Sequence, residues 1–249
     1  FQVAMARLGG QTVDLNPSVT QLGRGEPLED TARVLSRYCD VLAIRTFAQQ
    51  ELVDYAYWAS VPVINALTDL EHPCQALADF LTMREAHGEL AGQTLAYIGD
   101  GNNVAHSLML CGALLGVNVR IGCPEGFEPL PGVLDQARDL AQHGASIDVI
   151  TDPAQAVAGA QAVYTDVWAS MGQETEQAER EQAFSGFCVD EALMDQAASD
   201  AIVLHCLPAH RGEEISAEVM ESAASRIFDQ AENRLHAQQA LLASLMGGL

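Results

Sequence analysis

The sequence predicts an α/β protein of two domains, each a parallel β-sheet flanked by helices, with a C-terminal helix crossing back to the first domain. Three observations predict it. Short apolar, β-branched runs alternate with amphipathic stretches along the chain; the polar, glycine-bearing stretch EAHGELAGQ at 85–93 parts two groups of those runs; and a long helical pattern at 232–246 follows the last of them. Alternation of this β-α-β kind makes the strands parallel, because each strand returns through a helical crossover. With 249 residues, 49% of them hydrophobic, the chain has ample apolar material for two cores.

Taken in order, the strand-like runs are QTVDL (11–15), VLAIRTF (41–47), VPVINAL (61–67), TLAYIGD (94–100), VNVRIGC (117–123), SIDVITD (146–152), AVYTDVW (162–168), AIVLHCL (201–207) and SRIFDQA (225–231). Each is short and carries the Val, Ile, Thr or aromatic residues that favour a pleated strand. Helical spacing fills 28–38, 74–87, 104–116, 132–143 and 154–160, and the first ten residues already lie in a helical pattern. The expected domains are therefore 1–84, 93–231, and a returning helix at 232–249.

The formal net charge is −22, from 34 acidic residues against 12 basic ones, and all 12 are Arg. Such a balance argues against nucleic acid or an anionic membrane as a partner. No apolar run approaches the roughly 20 residues that span a bilayer, and no basic-then-apolar leader opens the chain, so a cytoplasmic protein is expected. The six cysteines occur singly, with no metal-type spacing to His, so reduced thiols and no metal are expected.

In parallel sheets ligands collect at the carboxyl ends of strands, and the chemically unusual residues lie at such ends. HCLPAHRGEE (205–214) ends a buried strand with Cys206; on burial alone it reads as a core thiol. YIGDGNNVAHS (97–107) places Asn102 and Asn103 at a helix start, where amides either bind a carboxylate or ammonium or simply cap the helix. Its Gly99 and Gly101 are followed by Val104, so the dinucleotide fingerprint fails and a nicotinamide oxidoreductase is only a distant alternative. In TDLEHPCQALADF, His72 and Gln75 share one face at the start of a helix introduced by Pro73. A surface helix end would look the same. DVWASMGQE ends a strand with Asp166, followed by Ser170 and Met171 in a loop; an amine partner and a plain N-cap both fit. Arg234 falls in the first turn expected for the final helix, where a cation is unusual unless an anion is near.

Six strings in this order, LGRGEPLEDTARVLSRY, HPCQALADFLT, GDGNNVAHS, DVWASMGQE, HCLPAHRGEE and FDQAENRLHAQQALL, resemble the ornithine carbamoyltransferases of the aspartate/ornithine carbamoyltransferase family. They resemble the ornithine enzymes more than those acting on aspartate, putrescine or N-acetylornithine. The resemblance implies transfer of the carbamoyl group from carbamoyl phosphate to the terminal amine of L-ornithine, giving L-citrulline and phosphate, in arginine biosynthesis or its reverse. It implies that Gln21, Arg45, His72, Gln75, Cys206, Leu207 and Arg234 bind carbamoyl phosphate, and that Asn103, Asp166, Ser170 and Met171 bind ornithine. Arg45 and His72 would polarise the carbonyl, and Cys206 would share the ammonium proton and aim the nitrogen; His205 is assigned to structure. No cofactor or metal is implied. A homotrimer is implied, with Gln21 reaching a neighbouring subunit's site and the active site lying between domains. The family's Ser-Thr-Arg-Thr-Arg phosphate loop precedes the segment with which this chain starts, so a chain starting at Phe1 is expected to be inactive. The rival reading is a non-catalytic member or fragment that binds ornithine.

Overall fold

The structure is a computed structural model and describes residues 1–16, 25–169 and 177–247. The chain divides into two compact units, Phe1–Cys74 with Arg234–Leu249, and Gln75–Asn233.

The first unit carries α1 (Gln2–Arg7), α2 (Leu28–Leu35), β1 (Leu42–Arg45), α3 (Gln49–Trp58) and β2 (Val63–Leu67). Parallel pairing matches Leu42 with Val63 and, after a register shift, Arg45 with Leu67. The crossover helix α3 is missing from the sequence reading because its apolar stripe is weak: Leu52 and Tyr55 are buried, while Val53, Tyr57 and Trp58 are exposed. QTVDL is a correction. Residues 11–15 form no strand; Val13 and Leu15 are both exposed, so the alternation has no buried face to pair against. Ala4, Ile64, Cys74 and Leu242 form this unit's core, with Leu235 and Leu241 packed on it, and the Phe1 ammonium donates to Gln238 Oε1 at 3.0 Å. The C-terminal helix thus returns to the first unit.

The second unit follows with α4 (Pro73–His87), β3 (Thr94–Ile98), α5 (Asn103–Leu115), β4 (Asn118–Gly122), α6 (Pro131–Leu140), β5 (Ile147–Ile150), α7 (Pro153–Val157), β6 (Ala162–Thr165), α8 (Gln177–Ala183), α9 (Glu191–Met194), β7 (Ile202–His205), α10 (Ala217–Met220) and α11 (Ile227–Leu245). Among the described residues its sheet runs β5-β4-β3-β6-β7, all parallel. Every residue of β3, β6 and β7 is buried, as strands covered by helices on both faces require. The chain leaves β3 towards β4 and β5, then returns to its other side as β6. The order reverses at β3/β6, and the crevice beyond the carboxyl ends there is where such folds bind ligands.

By contacts, α4 from Gln75 onward groups with the second unit, and its residues Ala76, Ala78, Asp79, Phe80, Thr82 and Met83 are buried; a Cβ at Gly112 would meet Phe80 at 3.2 Å. One expectation changes here. SRIFDQA opens α11 and is no strand: Ile227 and Gln230 point inward at helical spacing while Phe228 is 62% exposed. Only a single bridge, Val203 to Ser225, joins this stretch to the edge strand β7.

Candidate functional site

In the first unit, the loops after β1 and β2 are zipped together. Thr46 N–H donates to the Leu67 carbonyl at 3.0 Å, and Asp69 N–H to that of Phe47 at 2.9 Å. The fully buried Thr68 closes a turn with Glu71: its N–H donates to the Glu71 carbonyl at 2.9 Å, and its hydroxyl accepts the Glu71 N–H at 3.1 Å. That turn delivers His72 directly ahead of Pro73, the first residue of α4, and the Cys74 thiol donates to the Asn65 carbonyl at 3.3 Å. His72 is 7% exposed, and its pKa falls to about 3 through burial first, then the guanidinium charges of Arg234 and Arg45. Two arginines lie close enough to repel a proton from this ring, so His72 is a neutral N–H donor beside two cations. That set suits an anion bearing a carbonyl. Arg234 itself sits well inside α11, which begins at Ile227, so the first-turn argument for it is corrected.

In the second unit, a Cβ on Gly101 would lie 2.2 Å from Pro129 N and 2.7 Å from the Phe127 carbonyl oxygen. Only glycine lets the 124–129 loop approach. This tight turn sets Asn102 as the N-cap of α5, its Oδ1 accepting from Val104 N–H at 2.9 Å and Ala105 N–H at 3.2 Å. The same amide donates through Nδ2 to Asp166 Oδ2 at 2.9 Å. Capping and site-building are therefore one role. Asn103 follows as the half-buried first residue of α5.

Asp166, 6% exposed, directly follows β6 and caps no helix. Its Oδ1 accepts from the Cys206 thiol at 2.9 Å and from Val167 N–H at 2.8 Å. Burial, and then the charge of Asp166, push the Cys206 pKa well above the ordinary thiol value. The thiol stays protonated and donates, so the carboxylate is the acceptor of this pair.

His205 holds the next step of the chain. Its Nδ1 accepts the Leu207 N–H at 2.8 Å, which leaves Nε2 to donate to Glu214 Oε1 at 2.9 Å. Leu207 adopts φ of +60°, a region that non-glycine residues rarely enter, and its peptide to Pro208 is cis. Both ring nitrogens of His205 are thus hydrogen-bonded within the protein. Donor atoms of Asp166, His205 and Cys206 fall within 4.8 Å of one another, but both ring nitrogens of His205 are already committed.

Gln75 is buried and donates from Nε2 to Asp79 Oδ1 at 2.8 Å; Gln230 Nε2 donates to the same oxygen at 2.6 Å. The structure therefore brings His72, Arg45 and Arg234 together in the first unit. It brings Asp166, Cys206 and Asn102 together at the β3/β6/β7 strand ends of the second, with Leu207 next in chain. Gln21, Ser170 and Met171 lie outside the described residues. Glu214, Asp79 and Gln230 were missed; Asp79 and Gln230 are buried polar residues in helices and Glu214 is one in a turn, and nothing in the strings around them marks that burial.

The family model described as aspartate/ornithine carbamoyltransferase, carbamoyl-P binding domain, matches residues 1–85, and that of the Asp/Orn binding domain matches 91–245. An ornithine carbamoyltransferase of Parasynechococcus marenigrum is 88% identical over 249 residues, covering 100% of this chain and 78% of that protein. The crystal structure of ornithine carbamoyltransferase from Gloeobacter violaceus has a TM-score of 0.89 at 55% identity, covering 98% of this chain and 80% of that one. The Pyrococcus furiosus enzyme has a TM-score of 0.95 at 51% identity, covering 100% and 80%.

Proposed function

This chain belongs to the aspartate/ornithine carbamoyltransferase family, and from that premise we propose how its residues carry the reaction. It transfers the carbamoyl group of carbamoyl phosphate to the terminal amine of L-ornithine, giving L-citrulline and phosphate. The observation that carries the residue assignment is Asp166, which gathers the Cys206 thiol and the Asn102 amide at the switch point of a parallel sheet.

Arg45 and Arg234 take the phosphate dianion and carbonyl of carbamoyl phosphate, and neutral His72 donates its N–H to the carbonyl oxygen as charge develops there. Because the imidazole is neutral throughout the physiological range, it stabilises the oxyanion without first losing a proton. Gln75 accepts from the carbamoyl amine. Ornithine's side-chain amine, with a pKa near the Lys reference of about 10.4, arrives as an ammonium that Asp166 holds, with Asn103 nearby as an amide donor or acceptor. Asp166 takes one ammonium proton and passes it to solvent, which frees the nitrogen lone pair to attack the carbonyl carbon. The C–O bond to phosphate then breaks, and the second nitrogen proton leaves with it as hydrogen phosphate. Cys206 aims Asp166, and the Leu207 carbonyl faces the reacting centre. Gln21 as a carbamoyl-phosphate contact, and Ser170 and Met171 as ornithine contacts, are supported by the resemblance alone. So are a homotrimer and a cytoplasmic setting. A division of labour between 1–84 and 93–231 with a returning helix at 232–249 is supported also by the two family models and by the packing of Leu242 in the first unit's core. Among the described residues no helix is long and apolar enough to cross a membrane.

The intact gene product, given carbamoyl phosphate and ornithine, should release citrulline and phosphate in equal amounts. Aspartate, putrescine and N-acetylornithine should serve at least roughly a hundredfold less well, since a site built for a charged amine and α-amino acid leaves buried polar groups unpaired with the wrong acceptor. Tight ornithine binding with no citrulline would instead establish the non-catalytic reading.

Cys206→Ser gives a second check. A hydroxyl on a shorter bond still donates to Asp166 but sets the carboxylate differently, so KM for ornithine should rise and kcat fall, together by roughly tenfold, a loss of about 1.4 kcal/mol. Lower thermal stability with unchanged ornithine kinetics would return Cys206 to the core.

A further inference from the structure

Asp79 lies one helical turn beyond Gln75 on α4 and is fully buried. Its Oδ1 receives two side-chain amides, Gln75 Nε2 at 2.8 Å and Gln230 Nε2 at 2.6 Å. Gln230, also fully buried, uses its other end to accept the backbone N–H of His205 at 2.8 Å. That N–H ends β7, the edge strand of the sheet, and the next residue is Cys206. One carboxylate oxygen is thus tied at one end to the glutamine assigned to the carbamoyl amine, and at the other to the backbone entering the Cys206–Leu207 turn.

An amide side chain can present either its oxygen or its NH₂, and only its partner decides which. A carboxylate oxygen accepts, so it draws the NH₂ of each glutamine and turns each Oε1 away. We propose that Asp79 is a positioning residue for carbamoyl transfer: it fixes the flip of two amides, so that Gln75 offers an acceptor to the carbamoyl amine and Gln230 offers one to the His205 N–H.

The proposal rests on the reading of Gln75 as a carbamoyl contact. A carboxylate buried among helices is poor material for stability, since an apolar residue of like volume does as well or better. Here it has a task no apolar residue performs. Asn233, the next turn of α11, reinforces the pairing by donating to Thr82 Oγ1 at 3.0 Å and Glu85 Oε2 at 2.6 Å. The charge of Asp79 also reaches Cys206, where it acts behind burial and Asp166 to keep the thiol protonated.

Acetyl phosphate, which replaces the carbamoyl NH₂ with a methyl group, supplies the test. A site that accepts from the NH₂ rejects the methyl analogue because its acceptor is left unpaired. The intact gene product should therefore bind acetyl phosphate, measured by competitive inhibition, far more weakly than carbamoyl phosphate. In Asp79→Asn, which is nearly isosteric, Gln75 is free to flip, and the preference should shrink by about tenfold while circular dichroism and melting remain close to wild type. Gln75→Met separates the two claims. If Gln75→Met keeps the preference, the reading of Gln75 falls and the proposal with it. If Gln75→Met loses the preference but a folded Asp79→Asn retains it, the reading stands and the proposal is overturned. Should Asp79→Asn not fold, Gln230→Leu decides: it leaves Asp79 with Gln75, so the preference should persist while KM for ornithine rises about tenfold. An unchanged KM for ornithine in that variant overturns the role given to Gln230 and the proposal as stated.

Discussion

Asp166→Asn is expected to lower kcat/KM for ornithine by about a thousandfold while leaving the affinity for carbamoyl phosphate within a few-fold of wild type. Asp166 is nearly inaccessible and receives three donors, from Asn102, Cys206 and Val167. An asparagine can keep its oxygen towards Cys206 and Val167, but its new NH₂ then faces the Nδ2 of Asn102, which sits 2.9 Å from the oxygen it replaces. The incoming ammonium loses its only charged acceptor described in this cluster. Removing one partner of a buried charge pair costs about 3–5 kcal/mol, and a thousandfold corresponds to about 4. A second readout needs no substrate. With the Asp166 charge gone, burial and then the charge of Asp79 still raise the Cys206 pKa, but by less, so thiol alkylation at alkaline pH should quicken. Steady-state kinetics with each substrate varied in turn decide the matter; a kcat/KM for ornithine within tenfold of wild type would remove Asp166 from the site.

That Asp166 was legible at all follows from how parallel sheets are built. Runs such as TLAYI and AVYT are apolar throughout because helices cover both faces of the sheet, which makes their ends conspicuous: a Gly-Asp-Gly-Asn-Asn or a Thr-Asp stands out against them. The residues beyond those ends are the ones a ligand meets. What stayed hidden is of a different kind. Gln230 and Asp79 lie 151 positions apart, and His205 and Glu214 are joined by a buried contact that the local HRGEE string does not single out. No periodicity encodes a hydrogen bond between two helices. The misread strands have a related cause. SRIF and QTVDL contain the right residue types, but β pairing must extend along a neighbouring strand: Ser225 makes a single bridge to β7 before helical spacing governs Ile227 and Gln230, and Val13 stays exposed. Cys206 was found by position, yet its protonation state follows from burial and from Asp166, neither of which the string HCLP displays.

Arg45→Ala should slow carbamoyl transfer about a hundredfold in kcat/KM for carbamoyl phosphate, because losing a charge-assisted donor to a developing oxyanion costs about 3 kcal/mol. A purely kinetic loss leaves open whether Arg45 faces His72, and the pH dependence of stability answers that separately. In the folded wild type, His72 has its pKa lowered from 6.5 to about 3 by burial, then Arg234, then Arg45. Below pH 6.5 the unfolded chain takes up a proton that the folded protein refuses, so this residue makes stability fall as pH falls. The loss approaches about 1.4 kcal/mol per pH unit and ends near the folded pKa. Removing Arg45 deletes one of the three causes, so the folded pKa rises and the window narrows from its acid end. The variant should therefore be less stable than wild type by a smaller margin at pH 4 than at pH 7. Because Arg45 is exposed and solvent screens it, that relief should be smaller than the relief from removing Arg234, the larger of the two charge effects. Urea unfolding of the three proteins between pH 4 and pH 7 measures this directly. Parallel pH profiles for wild type and Arg45→Ala would show that the guanidinium at the end of β1 does not act on the imidazole, and the carbonyl-binding pair would lose one member.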